Sequence, residues 1–195
     1  MIHVTALHTY PIKSCAGLTH TSIELDARGP LWDRRWMVVE PDGMFVTQRE
    51  LPRMALIQPA FEGDQLRLTA PGMSELCIPL AHDAAPTRTV TVWESVCQAW
   101  DEGGTAAEWF SDFLQVELRL VRMADDFQRV IDNDYAKQST RALVYTGFAD
   151  GFPILIVSGS IAGGIEPPPC RARRRPCSHE PLPSECGGRG GGSLC

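Results

Sequence analysis

No stretch of this chain approaches the roughly 20 consecutive apolar residues that a membrane-spanning helix needs. The amino-terminal Met1-Ile2-His3-Val4 has neither the basic start nor the apolar run of a secretory signal. Both absences lead to the expectation of a cytoplasmic protein that does not engage a membrane. A basic excess is missing too: 18 Lys and Arg face 24 Asp and Glu, a net charge of -6 at pH 7. That balance argues against a nucleic-acid surface. The phosphate-cradling G-x-x-x-x-G-K-[ST] does not occur, and no G-x-G-x-x-G follows a strand. No Cys-x-x-Cys pair exists, and His3, His8, His20 and His82 show no ligand spacing. Short-paired structural zinc is therefore not expected. Asp125-Asp126 and Asp132-Asn133-Asp134 have no facing acid pair and read as solvated charge.

What is present is a globular composition, 44% apolar and 22% charged over 195 residues, long enough for one ordinary core. Strand-like segments recur at short spacing over residues 1–158: Val4–Leu7, Ser22–Leu25, Trp36–Glu40, Met54–Phe61, Gln65–Thr69, Thr89–Val92, Val96–Ala99, Leu118–Arg122 and Ile154–Val157. Pro41-Asp42-Gly43, Glu62-Gly63-Asp64 and Pro71-Gly72 separate them as turns, the first two closing hairpins. Thr105-Ala106-Ala107-Glu108 reads as a capping box. Trp109, Phe110, Phe113 and Leu114 then form one apolar stripe, so a helix is expected at about 105–115, packed on the sheets. The fold class expected is mainly β: a β-barrel with one or two packed helices.

Residues 159–195 differ. Pro167-Pro168-Pro169, Arg173-Arg174-Arg175 and Gly190-Gly191-Gly192 dominate, with almost no apolar periodicity. Such a segment cannot bury enough surface to offset its chain entropy and is expected to be disordered. Five Arg against three Glu give it a net of +2, leaving 13 basic and 21 acidic residues, net -8, in 1–158. Four of the seven cysteines, Cys170, Cys177, Cys186 and Cys195, lie in 159–195, and the other three, Cys15, Cys77 and Cys97, are scattered and read as reduced thiols.

The segment Tyr10-Pro11-Ile12-Lys13-Ser14-Cys15-Ala16-Gly17 carries the most chemistry. Pro11 stiffens the chain and pushes Tyr10 into an extended conformation. Lys13 and Ser14 then set a cation beside a hydroxyl, which suits a phosphate-bearing ligand. Gly17 is read as the residue that allows the turn. The bland alternative is an exposed Lys on a loop. Arg34, at the mouth of the strand beginning at Trp36, is a second candidate for phosphate or carboxylate, against a surface ion pair with Asp33 or Asp26. If Trp36, Val38 and Glu40 alternate with Met37 and Val39, one face is core and the other more open. Arg49, in Thr47-Gln48-Arg49-Glu50, is a weaker candidate, against a surface salt bridge.

The order Tyr10 to Gly17, Asp33-Arg34-Arg35-Trp36-Met37-Val38-Val39, Asp42-Gly43-Met44-Phe45-Val46-Thr47-Gln48-Arg49 and Pro52-Arg53-Met54 resembles the N-terminal β-barrel domain of MOSC proteins. Phe152-Pro153-Ile154-Leu155-Ile156-Val157-Ser158 resembles the link into the MOSC domain proper, so the resemblance covers about residues 1–158. It implies an oxidoreductase that uses the molybdenum cofactor (molybdopterin) to reduce N-hydroxylated compounds with electrons from a donor protein. It implies that Lys13, Ser14 and Arg34 hold the phosphate side of the pterin. Gly151 and Phe152 would border the cofactor, at positions where relatives often carry small hydroxyl residues. Some relatives are sulfurases that use pyridoxal phosphate in a separate domain. The family continues after Ser158 with an N-x-F-R-P-N segment and a molybdenum-ligating cysteine, and neither is readable here. The change of composition is what a wrong reading frame of GC-rich DNA gives, so a frameshift at about 159–163 is expected, and no metal ligand is assigned. The alternative function is a stand-alone β-barrel that binds a phosphate-bearing ligand or a protein partner.

Overall fold

The computed structural model describes residues 3–81, 86–131 and 144–158. The tail expected at 159–195 lies outside the described residues, as do His82 and residues 132–134. The chain divides into two units, Met1–Ile156 and Val157–Cys195, and the described residues lie almost wholly in the first.

The centre is a four-stranded antiparallel sheet, ordered β5 (Trp36–Val39), β11 (Arg119–Met123), β10 (Ser95–Asp101) and β9 (Thr87–Val92). Residues 43–46 close it. Phe45 N–H donates to Thr91 O (3.2 Å), and Thr91 N–H donates to Gly43 O (2.9 Å). On the other side Val46 N–H donates to Val38 O (3.1 Å), and Glu40 N–H donates to Met44 O (2.8 Å). The two outer strands therefore bond to the same segment, which removes the open edge a flat sheet would have. Asp42-Gly43 makes the tight turn this needs: Gly43 has φ +92°, and a Cβ there would stand 2.6 Å from Thr89 O. The hairpin read from the sequence is real, and it closes the barrel.

Met37, Val39, Val90, Val92, Cys97, Ala99, Val121 and Met123 fill the inside, with Phe148 among them. The outer face of β5 and β11, through Trp36, Val38 and Leu120, packs a second core. α1 (Gly104–Leu114) supplies Ala106, Trp109, Phe110, Phe113 and Leu114 to it. A meander of β6 (Gln58–Glu62), β7 (Gln65–Thr69) and β8 (Leu76–Pro79) supplies Leu66, Leu68, Leu76 and Ile78. Short pairs complete the unit: β1 (Leu7–Thr9) with β2 (Leu18–His20), β3 (Leu25–Asp26) with β4 (Gly29–Pro30), and β12 (Arg129–Val130) with β13 (Tyr145–Thr146).

Mainly β with one helix is the class expected, and the helical stripe is buried as read. Several local expectations are corrected. β5 has no open face, because the helix and meander cover the side opposite the barrel interior. Val4–Leu7 is not the first strand; pairing begins at Leu7, opposite His20, and Val4 lies exposed. Ser22–Leu25 is a strand only at its end, where β3 begins at Leu25, and β2 comes before it. Met54–Phe61 splits into a 3-10 turn at Pro52–Leu56 and then β6, since a proline without N–H suits a first helical position. The capping box is absent: α1 starts two residues earlier than that box requires, Gly103 is the cap with φ +89°, and no side chain caps it. Ile154–Val157 forms no strand; no ladder partner lies beside it among the described residues, and Leu155 and Ile156 are 80% and 90% exposed.

Asp101 locks the end of β10. Its Oδ2 accepts from Arg119 Nε (2.6 Å) and Arg88 Nε (3.1 Å), and its Oδ1 accepts from Gly103 N–H (3.0 Å). Burial opposes ionisation, but the Arg119 and Gly103 donors outweigh it, so the carboxyl sits below its ordinary value. A depressed folded pKa stabilises above the unfolded value, near 3.9, and that contribution is lost as pH falls through the folded one. Asp101→Asn should therefore lower the urea midpoint at pH 7. The gap to wild type should narrow below about pH 4; an equal gap at pH 7 and pH 3 would reject the assignment.

Candidate functional site

Three segments distant in sequence meet at one end of the barrel. Residues 10–13 run beside 34–36: Arg34 N–H donates to Tyr10 O (2.8 Å), Trp36 N–H to Pro11 O (3.1 Å) and Lys13 N–H to Trp36 O (2.9 Å). The third segment, 146–150, crosses Arg34, whose carbonyl accepts from Phe148 N–H (2.8 Å). Gly147 makes that crossing possible, because a Cβ there would stand 2.6 Å from Arg34 O.

Lys13 is not an exposed loop lysine. It is 6% exposed, and its Nζ donates to Phe148 O (3.0 Å) and to the Asp150 carboxylate. Phe45 presents its ring 5.5 Å from the same ammonium. Burial pulls the Lys13 pKa down more than Asp150 raises it. Asp150 lies below the ordinary carboxylate range: burial opposes this, but the hydrogen bonds from Lys13 and from Trp93 Nε1 (2.8 Å) prevail. An ammonium has three N–H donors, and acceptors among the described residues take two of them.

Arg34 takes the ion pair with Asp33 that was its bland alternative, and Arg35 takes Asp26. Asp33 is also fixed by Tyr10 N–H (2.7 Å), and burial holds its carboxyl above its ordinary value in spite of Arg34. The Arg34 guanidinium stays about one quarter exposed, 5.2 Å from the Tyr10 ring centroid. A guanidinium carries five N–H donors, so pairing with Asp33 does not exhaust it. Arg34 also lowers the pKa of both Lys13 and Asp150 through its charge, which places all three in one electrostatic neighbourhood.

Ser14 and Arg34 both adopt left-handed backbone, with φ 67° and 47°. That conformation costs about 1–2 kcal/mol per L-residue, and such strain clusters at functional sites. The turn after Lys13 is thus made by Ser14. Gly17, read as the turn residue, instead clears the Tyr10 ring, which a Cβ would meet at 2.7 Å.

Arg49 stands apart. It is exposed, and its described bond is from its backbone N–H to Thr47 Oγ1 (3.3 Å). Gly151 and Phe152 follow Asp150 and are exposed, with open space where a Gly151 Cβ would lie. Asp150 and Arg129 are neighbours of Lys13 that the sequence reading did not single out. Local pattern carries no signal for them, since Lys13 and Asp150 are 137 residues apart.

The charges gathered here suit an anion. Lys13, Arg34 and Arg129 against Asp33 and Asp150 leave one net positive charge. Among the described residues no cluster of three or more His, Cys, Asp or Glu side chains could hold a metal ion. Burial pushes the thiols of Cys15 and Cys97 up, away from the thiolate that a soft metal prefers. Among the described residues no helix is long and apolar enough to cross a membrane.

A family described as "MOSC N-terminal beta barrel domain" matches residues 1–117. A mitochondrial amidoxime reducing component 2 from Bos taurus is 32% identical over 161 residues, covering 80% of this chain and 48% of that protein. A molybdenum cofactor sulfurase from Danio rerio is 33% identical over 132 residues, 65% of this chain and 16% of that protein. A solution structure from Bordetella bronchiseptica aligns at TM-score 0.45 and 27% identity, over 55% of this chain and 92% of that one. The chain spans about half the length of the amidoxime-reducing relatives it matches, and a smaller share of the sulfurases.

Proposed function

The chain belongs to the MOSC N-terminal beta barrel family, and on that premise we propose that it carries the phosphate-holding part of a molybdenum-cofactor site. The observation that carries this reading is the meeting of Lys13, Ser14 and Arg34 at one barrel end. In this reading Lys13 and Arg34 share the negative charge of the pterin phosphate and the Ser14 hydroxyl adds a hydrogen bond. The exposed backbone at Gly151 and Phe152 borders it. Arg49 stays outside the grip. Molybdenum, when bound, supplies the two-electron chemistry that reduces an N-hydroxylated compound, with electrons from a donor protein. The described residues offer no ligand set for the metal, so their work is to bind and orient the pterin.

Titrating the full chain with molybdopterin in a calorimeter tests this. A hydrogen bond to a charged group is worth about 1.5–3 kcal/mol, so Lys13→Ala should weaken binding about 10- to 100-fold. Raising salt should weaken the wild type and leave the variant less affected. A wild-type chain that gives no binding heat, or a variant that binds equally well, would remove the proposal.

A further inference from the structure

Arg129 opens β12 with its side chain turned into the protein, 9% exposed. Among the described residues no carboxylate pairs with it, and its Nε has no acceptor. Burying a guanidinium on such terms is costly, so its position calls for an account in what it holds. It holds backbone: NH1 donates to Gly147 O (3.0 Å) and to Ala149 O (2.5 Å). Lys13 takes the carbonyl between them, Phe148 O (3.0 Å). Two buried cations thus grip three consecutive carbonyls.

A planar trans peptide points its C=O and the following N–H in opposite directions. Fixing Ala149 O on Arg129 therefore turns the N–H of Asp150 away from the guanidinium, and Asp150 and Gly151 are both exposed residues. No described acceptor receives the N–H of Asp150 or of Gly151. An exposed N–H beside two cations is a donor for an anion. We infer that Arg129 is a positioning residue that, through its grip on Ala149 O, presents the Asp150 N–H, and with it the Gly151 N–H that follows on the same exposed segment, to a phosphate held by Lys13 and Arg34. This rests on the phosphate reading of the site and adds to it a backbone donor pair and the residue that aims it.

Amide-resolved NMR of the full chain, titrated with inorganic phosphate, tests it. In the wild type the Asp150 and Gly151 amide signals should shift with the same apparent affinity as the Lys13 side-chain signals. Arg129→Gln should abolish the Asp150 and Gly151 shifts, keep a Lys13 response, and weaken affinity about tenfold. Arg129→Lys keeps the charge, but its ammonium ends one atom short of the NH1 that makes both bonds, so it should behave like Arg129→Gln. A Lys13 response in the wild type without the two amide shifts overturns this inference and leaves the phosphate reading standing. Full recovery in Arg129→Lys also overturns it, because charge alone would then suffice. No response anywhere overturns both. The wild-type arm decides whether the two amides meet phosphate, and whichever Arg129 variant folds decides whether Arg129 aims them.

Discussion

Replacing Arg122 with methionine is expected to lower the unfolding free energy by about 3–5 kcal/mol, the cost of removing one partner from a buried ion pair. Arg122 is 3% exposed, and each of its three guanidinium nitrogens donates a hydrogen bond. Its Nε donates to Glu102 Oε1 (2.7 Å), NH1 to Leu80 O (2.7 Å) and NH2 to Pro79 O (2.6 Å). The guanidinium lies 4.8 Å from the centroid of the Trp36 ring, whose Nε1 donates to the same Glu102 oxygen (2.6 Å). One side chain therefore ties β11 to the end of β8, to the chain after β10 and to the central tryptophan of β5. Methionine keeps much of the volume, so the loss is one of charge and hydrogen bonding. The Glu102 carboxylate, 5% exposed at its side chain, would lose the guanidinium while keeping the Trp36 N–H. Urea unfolding at pH 7 measures the effect. The double variant Arg122→Met with Glu102→Leu should recover part of the loss, since the desolvation cost then falls away with the second charge. A single-variant loss below about 1 kcal/mol, the range of exposed pairs, would show the pair to be screened by solvent.

Gly147→Ala should damage both stability and the site. A Cβ at Gly147 would stand 2.6 Å from Arg34 O and 3.1 Å from Asp33 O, and both are backbone atoms that cannot swing aside. The 146–150 segment must then lift off the Arg34 strand. That movement breaks the Phe148 N–H to Arg34 O bond and pulls Phe148 O from Lys13 and Gly147 O from Arg129. Overpacking of this kind costs about 1–3 kcal/mol, and each lost hydrogen bond adds about 0.5–1.5 kcal/mol. Phosphate affinity should fall at least about tenfold, because Lys13 and Arg34 lose their common frame. Thermal unfolding and the phosphate titration read the two effects separately. A variant with unchanged stability and affinity would show that the crossing at Arg34 is loose. A variant that loses stability but keeps affinity would place Gly147 in the fold alone.

Much of the β framework was legible because its causes are local. Glu62-Gly63-Asp64 makes its hairpin through glycine at φ +59°, with Glu62 opposite Gln65. Gln65–Thr69 is a strand by its alternation, and Trp109, Phe110, Phe113 and Leu114 mark a helix face by spacing alone. Lys13 and Arg34 stood out as candidates for a similar reason, since Pro11 and the Asp33-Arg34-Arg35-Trp36 run mark them within a few residues. Where local signals misled, a longer contact prevailed. Thr105 and Glu108 have the chemistry of a capping box, but Asp101 and Gly103 start the helix before them. Ile154–Val157 has the composition of a strand, yet a strand is stable only against a partner ladder, and none lies beside it among the described residues.

The sequence by itself determined that this is a mainly β chain with one amphipathic helix, and which cation and hydroxyl start its candidate site. Turn chemistry, side-chain periodicity and a stiffening proline act over a handful of residues and need no knowledge of topology. Only the tertiary structure decided that β5 is buried on both faces, that residues 43–46 close the barrel, and that Lys13 is enclosed by Phe148 and Asp150 at separations of 135 and 137 residues. It also decided that Arg129 is turned inward to grip two carbonyls. These follow from chain closure: which carbonyl or carboxylate meets a buried cation is set by how strands cross in space, and spacing along the sequence carries no record of that crossing.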